Sequence, residues 1–198
     1  MNLALPQADL PVRLRFQRPM SDEELIRFCA ENEVLRVERE PNGEILVMTP
    51  AGSRTSRMNS RITRFLDEWA EADGRGVATD SNGGYTLPDG SMRAPDGAWV
   101  ELRRWQALSA EQQTGYAPVC PDFVIELRSP SDRLPDVEAK MEQWIANGAR
   151  VGWLIDPERK VVAIYRAGQA AEVLEDPSSV QGDGPVAGFE LVMERVWG

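Results

Sequence analysis

Two carboxylates and a lysine stand where a purely structural role would be expensive. The run Asp122-Phe123-Val124-Ile125-Glu126-Leu127-Arg128 alternates as a strand, with Phe123, Ile125 and Leu127 on one face and Val124 and Glu126 on the other. A carboxylate in the middle of an apolar strand is costly to bury unless it is paired or bound to a cation. Ala94-Pro95-Asp96 puts a second carboxylate beside a turn, where the strand Gly97 to Glu101 opens. If these two strands are neighbours, Asp96 and Glu126 converge on one side of a sheet. Such a pair suits a hard, oxygen-seeking cation such as Mg²⁺ or Mn²⁺. The cation would activate water and offset the charge that builds on a scissile phosphate. A nearby lysine would stabilise that charge or orient the water, and Lys140 is the candidate.

Each residue also has a plainer reading. Asp96 after Pro95 fits a turn-capping aspartate. Glu126 can pair with an arginine on its own face, and Arg128 can be that partner or a phosphate contact. Ser129, Ser131 and Asp132 fit a helix entry. In the helix that follows, Leu134, Val137, Met141, Trp144 and Ile145 make the apolar face. Lys140 lies at its margin, roughly 90° from the centre at about 100° per residue. That position is compatible with lying along the sheet surface and with reaching out to water. Trp99, Trp144 and Trp153 fall in core-patterned segments and read as core, not as base-stacking platforms.

Composition narrows the chemistry further. The chain of 198 residues is 42% hydrophobic with six tryptophans, which fits a single domain over residues 1–198. It contains no histidine, so Ser-His-Asp and Cys-His catalysis and histidine metal centres are excluded, leaving Asp, Glu and Lys. The net charge of −10 argues against coating nucleic acid by charge alone. It does not bar a nuclease, whose cleft needs carboxylates and whose rim can be locally basic. Cys29 and Cys120 are far apart and outside any CxxC motif, which argues against zinc and a disulfide framework and points to a cytoplasmic protein. No run of 18 apolar residues exists, and Met1 to Phe16 lacks the apolar core and cleavage site of a signal peptide. No membrane association is expected.

The elements that would position these residues are legible from local signals. Ser21-Asp22-Glu23-Glu24 is a capping box opening a helix to about Asn32. Val34 to Arg39 and Glu44 to Thr49 flank the turn Pro41-Asn42-Gly43 as a hairpin. Met58, Ile62, Phe65, Leu66 and Trp69 form one face of a long helix from about Arg54 to Ala72, closed by Asp73-Gly74. Strands are expected at 76–80, 84–87 and, as one run, 93–101; 105–116 reads as a surface connection with a helical turn near Ser109. A helix from about Pro135 to Asn147, capped by Ser131 or Asp132, stops at Gly148. A hairpin pairs 151–155 with 161–165, and a short strand near 189–193 closes the chain. This order makes the fold α+β or mixed α/β.

Taken in order, several segments resemble the Uma2 family, which is grouped with restriction endonucleases. They are Arg93-Ala94-Pro95-Asp96, the run Pro121 to Asp132, Lys140-Met141 and Gly152-Trp153-Leu154-Ile155-Asp156-Pro157. Asn42-Gly43-Glu44-Ile45 and Met48-Thr49-Pro50-Ala51-Gly52 add to it, so the resemblance covers roughly residues 22–165. It implies a PD-(D/E)XK nuclease fold, a mixed sheet flanked by helices, with an N-terminal helix and hairpin. It implies Asp96 and Glu126 as metal ligands, with the backbone carbonyl of Leu127 completing the site. Arg128 stands where the motif usually has lysine, and the resemblance gives that role to Lys140 on the next helix. It also brings Glu44 toward the same cleft. Thr55 and its arginine neighbours Arg54 and Arg57 stand where many members have a histidine. The expected activity is Mg²⁺- or Mn²⁺-dependent endonuclease cleavage of DNA, with a possible homodimer. The competing reading is a nuclease-fold module that binds nucleic acid or protein without cutting. Acid hydrolysis of glycosides would need a sugar groove, of which the sequence gives no sign.

Overall fold

Strand β6 (Met92–Arg93) and strand β7 (Gly97–Glu101) lie three residues apart in the chain but in different sheets, and Asp96 sits in the step between them. The computed structural model describes residues 11–197, so the N-terminal part of the Met1 to Phe16 reading lies outside the described residues. The smaller sheet has the order β1-β3-β2-β6-β5, from β1 (Val12–Leu14), β2 (Arg36–Arg39), β3 (Ile45–Met48) and β5 (Tyr85–Thr86). Helix α1 (Asp22–Glu31) closes its apolar face, packing Leu25 and Phe28 on Val37, Ile45, Val47 and Met92. The expected capping box is formed, with Ser21 and Glu24 each bonding the other's backbone. Gly43 takes φ +82° in the hairpin turn, which a residue with a Cβ rarely adopts.

The larger sheet has six strands in the order β11-β10-β9-β8-β7-β4. These add β4 (Gly76–Thr79), β8 (Phe123–Leu127), β9 (Val151–Asp156), β10 (Val161–Arg166) and β11 (Glu172–Glu175). Strands β8 and β9 are parallel and all other neighbours antiparallel. The long helix α2 (Ser53–Asp73) covers one face, packing Ile62 and Leu66 near Phe123, Ile125 and Leu127. Helix α5 (Leu134–Ala146) makes the β8–β9 crossover on the other face, where Met141 and Trp144 cluster with Val124 and Leu154. The strand alternation read from the sequence thus divides β8 between two cores. Gly152 lets α5 lie close to the sheet: a Cβ there would stand 2.5 Å from Met141 Cε and 3.3 Å from Val124 Cγ2. The architecture is α+β, as expected.

Two local expectations are corrected, and two segments hold more than the sequence signals predict. The strand expected over 93–101 breaks at Ala94-Pro95-Asp96, because Pro95 has no N–H for a ladder and Asp96 turns its carboxylate to β8. The N-cap of α5 is Arg133, with no side-chain cap; Asp132 instead accepts from the Ser129 N–H at 2.8 Å. The helical turn expected near Ser109 is α4 (Ala110–Thr114), with a capping box from Ser109 and Gln112, and a further helix, α3 (Leu102–Gln106), precedes it. The short strand expected near 189–193 is β13 (Glu190–Val192); β12 (Ser179–Gln181) and α6 (Glu194–Trp197) flank it, and together they bring Phe189, Leu191 and Val196 into the α2-side core. Among the described residues no helix is long and apolar enough to cross a membrane.

Candidate active site

Asp96 and Glu126 are cross-strand neighbours. The β7–β8 register pairs Gly97 with Ile125, and one further step places Asp96 opposite Glu126. Both are buried, at 7% and 4% exposure. Asp96 Oδ2 accepts from the Leu127 N–H at 2.8 Å, which ties it to the end of β8. Its Oδ1 takes longer contacts from Asn59 Nδ2 of α2 at 3.3 Å and Arg36 of β2 at 3.4 Å. Arg36 also donates to the Ala94 carbonyl at 2.7 Å.

Glu126 points to the α5 side of the sheet. Its Oε1 accepts from Trp144 Nε1 at 2.8 Å and lies 2.9 Å from Lys140 Nζ. Lys140 therefore lies along the sheet surface. The same ammonium lies 2.9 Å from Glu38 Oε1 and 3.5 Å from the Ala94 carbonyl. Helix α5 thus presents Trp144 and Lys140, one turn apart, to a single carboxylate oxygen.

Glu38 was not singled out by the sequence reasoning. It is 1% exposed on β2, and Arg93 donates to its Oε2 at 2.9 Å. The signal was available: strand period puts Arg36, Glu38 and Glu40 on one face of β2, opposite Val37. Each meets an opposite charge, Arg36 with Asp96, Glu38 with Lys140 and Arg93, and Glu40 with Arg93 and Arg13. Glu44, the acidic residue expected in the cleft, is not brought to Asp96 and Glu126. It sits across the hairpin from Glu40, and its carboxylate pairs with Arg15. Arg128 is taken by Asp156 at 2.8 Å and by the Asp132 carbonyl. Trp99 and Trp153 are core, as is Trp144, which has the added contact to Glu126.

The electrostatics of Glu126 and Glu38 differ. Burial pushes the Glu126 carboxyl up, Lys140 opposes it, and Asp96 and Glu38 add to the rise, which ends at about 7. Burial also acts upward on Glu38, but Lys140, Arg93 and Arg36 outweigh it and hold its carboxyl at about 2. Burial acts downward on Lys140, and Glu126 and Glu38 more than compensate, so the ammonium stays charged. Glu38 is thus a fixed anion that anchors Lys140, whereas Glu126 is an anion under strain.

The oxygen donors of Asp96, Glu126 and Asn59 are of the kind that a hard divalent cation takes. Trp144 and Lys140 both engage Oε1 of Glu126. Asn59 Oδ1, on the amide that reaches Asp96, is buried and lacks a hydrogen-bond partner among the described residues. Among the described residues no three Asp, Glu or Cys side chains gather into a ready-made cage. A site of two carboxylates, completed by backbone or amide oxygens and water, matches Mg²⁺, which keeps several waters and avoids all-protein cages.

The sequence profile of the family described as "Uma2: Putative restriction endonuclease" matches residues 22–194. Among solved structures, the chain is similar to one described as "a putative nuclease belonging to DUF820" from Anabaena variabilis. The TM-score is 0.73 at 22% identity, over 90% of this chain and 98% of that one, which shows a shared fold. A DrdV–DNA complex overlaps weakly, with a TM-score of 0.38 and 14% identity over 62% of this chain and 12% of that one. No curated protein matches.

Proposed function

The chain belongs to the Uma2 family, and we propose that it is a divalent-cation-dependent endonuclease acting on the phosphodiester bonds of DNA, with its centre at Asp96, Glu126 and Lys140. The observation that carries this reading is the position of Lys140 Nζ, 2.9 Å from Glu126 Oε1 on the strand neighbour of Asp96. Lys140 on α5 would then take the role of the motif's own lysine, two residues after the acid, where this chain has Arg128. Asp96 and Glu126 would hold Mg²⁺ or Mn²⁺, with the Leu127 carbonyl and Asn59 Oδ1 as further oxygen donors. The cation would lower the pKa of a bound water and offset phosphate charge.

The chain's own groups have defined tasks. Lys140 keeps an ammonium in a largely buried site, where it can hold the attacking water and donate to a non-bridging phosphate oxygen. Glu38 and Arg93 fix that ammonium from behind. Arg36, whose side chain is 27% exposed, stands at the rim beside Asp96 and can meet the incoming phosphate. In the reaction the water oxygen bonds to phosphorus as the bond to the leaving sugar oxygen breaks. The water gives up one proton and the leaving oxygen takes one.

The test is Mg²⁺ or Mn²⁺ calorimetry and plasmid cleavage, comparing the native chain with Asp96→Asn. Asparagine keeps an acceptor for the Leu127 N–H, so the fold survives while a ligand charge is removed. Loss of both cation binding and cleavage is expected, and cleavage retained by Asp96→Asn would sink the assignment. One observation favours a non-catalytic module: Arg36, Lys140 and Arg93 already compensate all three buried carboxylates. A native chain that binds no divalent cation, with DNA or without, would decide for that module. With the endonuclease reading go a cytoplasmic location, a single domain and a symmetric dimer able to cut both strands.

A further inference from the structure

Helix α2 is charged against its own dipole. Its first twelve residues, Ser53 to Arg64, carry four arginines and no acid; its last nine, Phe65 to Asp73, carry four acids and no base. A helix is positive at its N-terminus and negative at its C-terminus, so stability favours the reverse arrangement. Helix α1 obeys that rule, with Asp22, Glu23 and Glu24 in its first turn. In a chain of net charge −10, this segregation has a cost that packing does not explain.

The arginines form a stripe. At about 100° per residue, Arg54, Arg57, Arg61 and Arg64 fall within an arc of about 80°, opposite the buried face of Met58, Asn59, Ile62 and Leu66. Arg54 and Arg57 are exposed and form no ion pair among the described residues. Arg61 donates to the Arg195 carbonyl of α6 at 2.5 Å, which adds exposed Arg195 to the patch. Among the described residues only Arg64 of the four has an acidic partner, Glu68 on the next turn. Asn59 reaches Asp96 from the same turns that carry Arg57 and Arg61 outward. A polyanion on the stripe therefore lies about one helix diameter, ~10 Å, from the carboxylate centre.

We propose that the Arg54-Arg57-Arg61 stripe of α2, extended by Arg195, is a backbone-binding track for duplex nucleic acid, which seats phosphates without reading bases. This deepens the endonuclease reading and rests on it only for the identity of the polyanion. Exposed arginines along one face of a helix supply positioning contacts and steep salt dependence, not sequence choice.

The test is fluorescence anisotropy of a short labelled duplex with the full chain in EDTA, titrated over a range of salt. Native protein is compared with R54Q/R57Q and with the control R103Q/R159Q, which has the same net charge. The salt slope of R54Q/R57Q should fall by about 2, at about 0.9 for each phosphate no longer neutralised, with roughly tenfold weaker binding on unrelated sequences alike. Its melting temperature should hold or rise, because the helix dipole is relieved, which separates weakened binding from failed folding. The control should match the native chain. Equal binding by R54Q/R57Q and the native chain overturns the track, as does equal weakening in the control. So does a stripe-dependent self-association with no change in duplex binding. Failure of the endonuclease reading is read separately: stripe-dependent binding with no cation-dependent cleavage leaves the track standing and removes the enzyme.

Discussion

Replacing Glu126 by glutamine should stabilise the cation-free protein while abolishing its activity. The Glu126 carboxyl titrates at about 7 in the fold against a usual value of 4.5. At 1.36 kcal/mol per unit, the ionised form costs the fold about 3 kcal/mol. Glutamine removes the charge, keeps Oε1 as an acceptor for Trp144 Nε1, and leaves Lys140 paired with Glu38. The variant should therefore gain about 2–3 kcal/mol at pH 8, or roughly 5–10 °C in melting temperature for a chain of this size. The pH dependence follows from the raised folded value. Below about 4.5 the carboxyl is protonated in both folded and unfolded states and costs nothing. The penalty grows from about pH 4.5 to about pH 7 and is constant above it, so at pH 5 the advantage of Glu126→Gln should be under about 1 kcal/mol. Adding Mg²⁺ should raise the melting temperature of the native chain but not that of the variant, and native cation affinity should climb from pH 6 to pH 8 as the proton is released. Differential scanning calorimetry in EDTA at the two pH values decides. A variant no more stable at pH 8, or equally advantaged at pH 5, would refute the claim that crowding and burial strain this carboxylate.

The other side chains give sharper contrasts. Lys140→Met should destabilise the fold by about 3–5 kcal/mol at pH 8 in urea unfolding, because Glu38 and Glu126 lose their shared counter-charge. The loss should shrink toward pH 5, where Glu126 can take up a proton; a pH-independent loss would mean that only packing was removed. Glu44→Gln should leave divalent-cation binding unchanged in calorimetry and stability within about 0.5 kcal/mol, since Glu44 pairs with Arg15 near the surface. A loss of cation affinity in Glu44→Gln would return it to the cleft.

The legible parts of the fold were those whose signal is local. The capping box at Ser21, the turn at Gly43, the period of α2 and the alternation of β8 each depend on residues within one element. The break at Asp96 was illegible for the opposite reason. Residues 93–101 read as one strand: Pro95 marks a local weakness in it, but the bond that turns Asp96 toward β8 comes from the Leu127 N–H, thirty-one positions away. Glu38 and Glu44 show the same limit. Both lie on the first hairpin, and which of them enters the site depends on where α5 and Arg93 come to rest. The weak C-terminal pattern hid β11, β12 and α6 because short strands with half their residues exposed carry little periodicity.

If Lys140 takes the role of the motif's lysine, as proposed, the sheet and not spacing along the chain explains its place. Residue 128 is two positions after Glu126 and would share its face if β8 continued, but β8 ends at Leu127. Beyond that end the Arg128 guanidinium is drawn to Asp156 at the end of the neighbouring parallel strand. The face it leaves is the one on which α5 packs, and Gly152 lets that helix come down close to the strands. From there Lys140 covers the distance to Glu126 Oε1 and is held from behind by Glu38, on a strand of the other sheet. Chemistry at a phosphate is sensitive to where an ammonium lies, not to which element carries it. A substitution that lifts α5 off the sheet should therefore act like the loss of Lys140 itself. Gly152→Val, which crowds Met141 and Val124 without touching any charged residue, should lower cleavage more than it lowers Mg²⁺ affinity. Calorimetry and cleavage measured on the same folded preparation would show the split, and equal losses in both would mean that the helix does not set the ammonium's position.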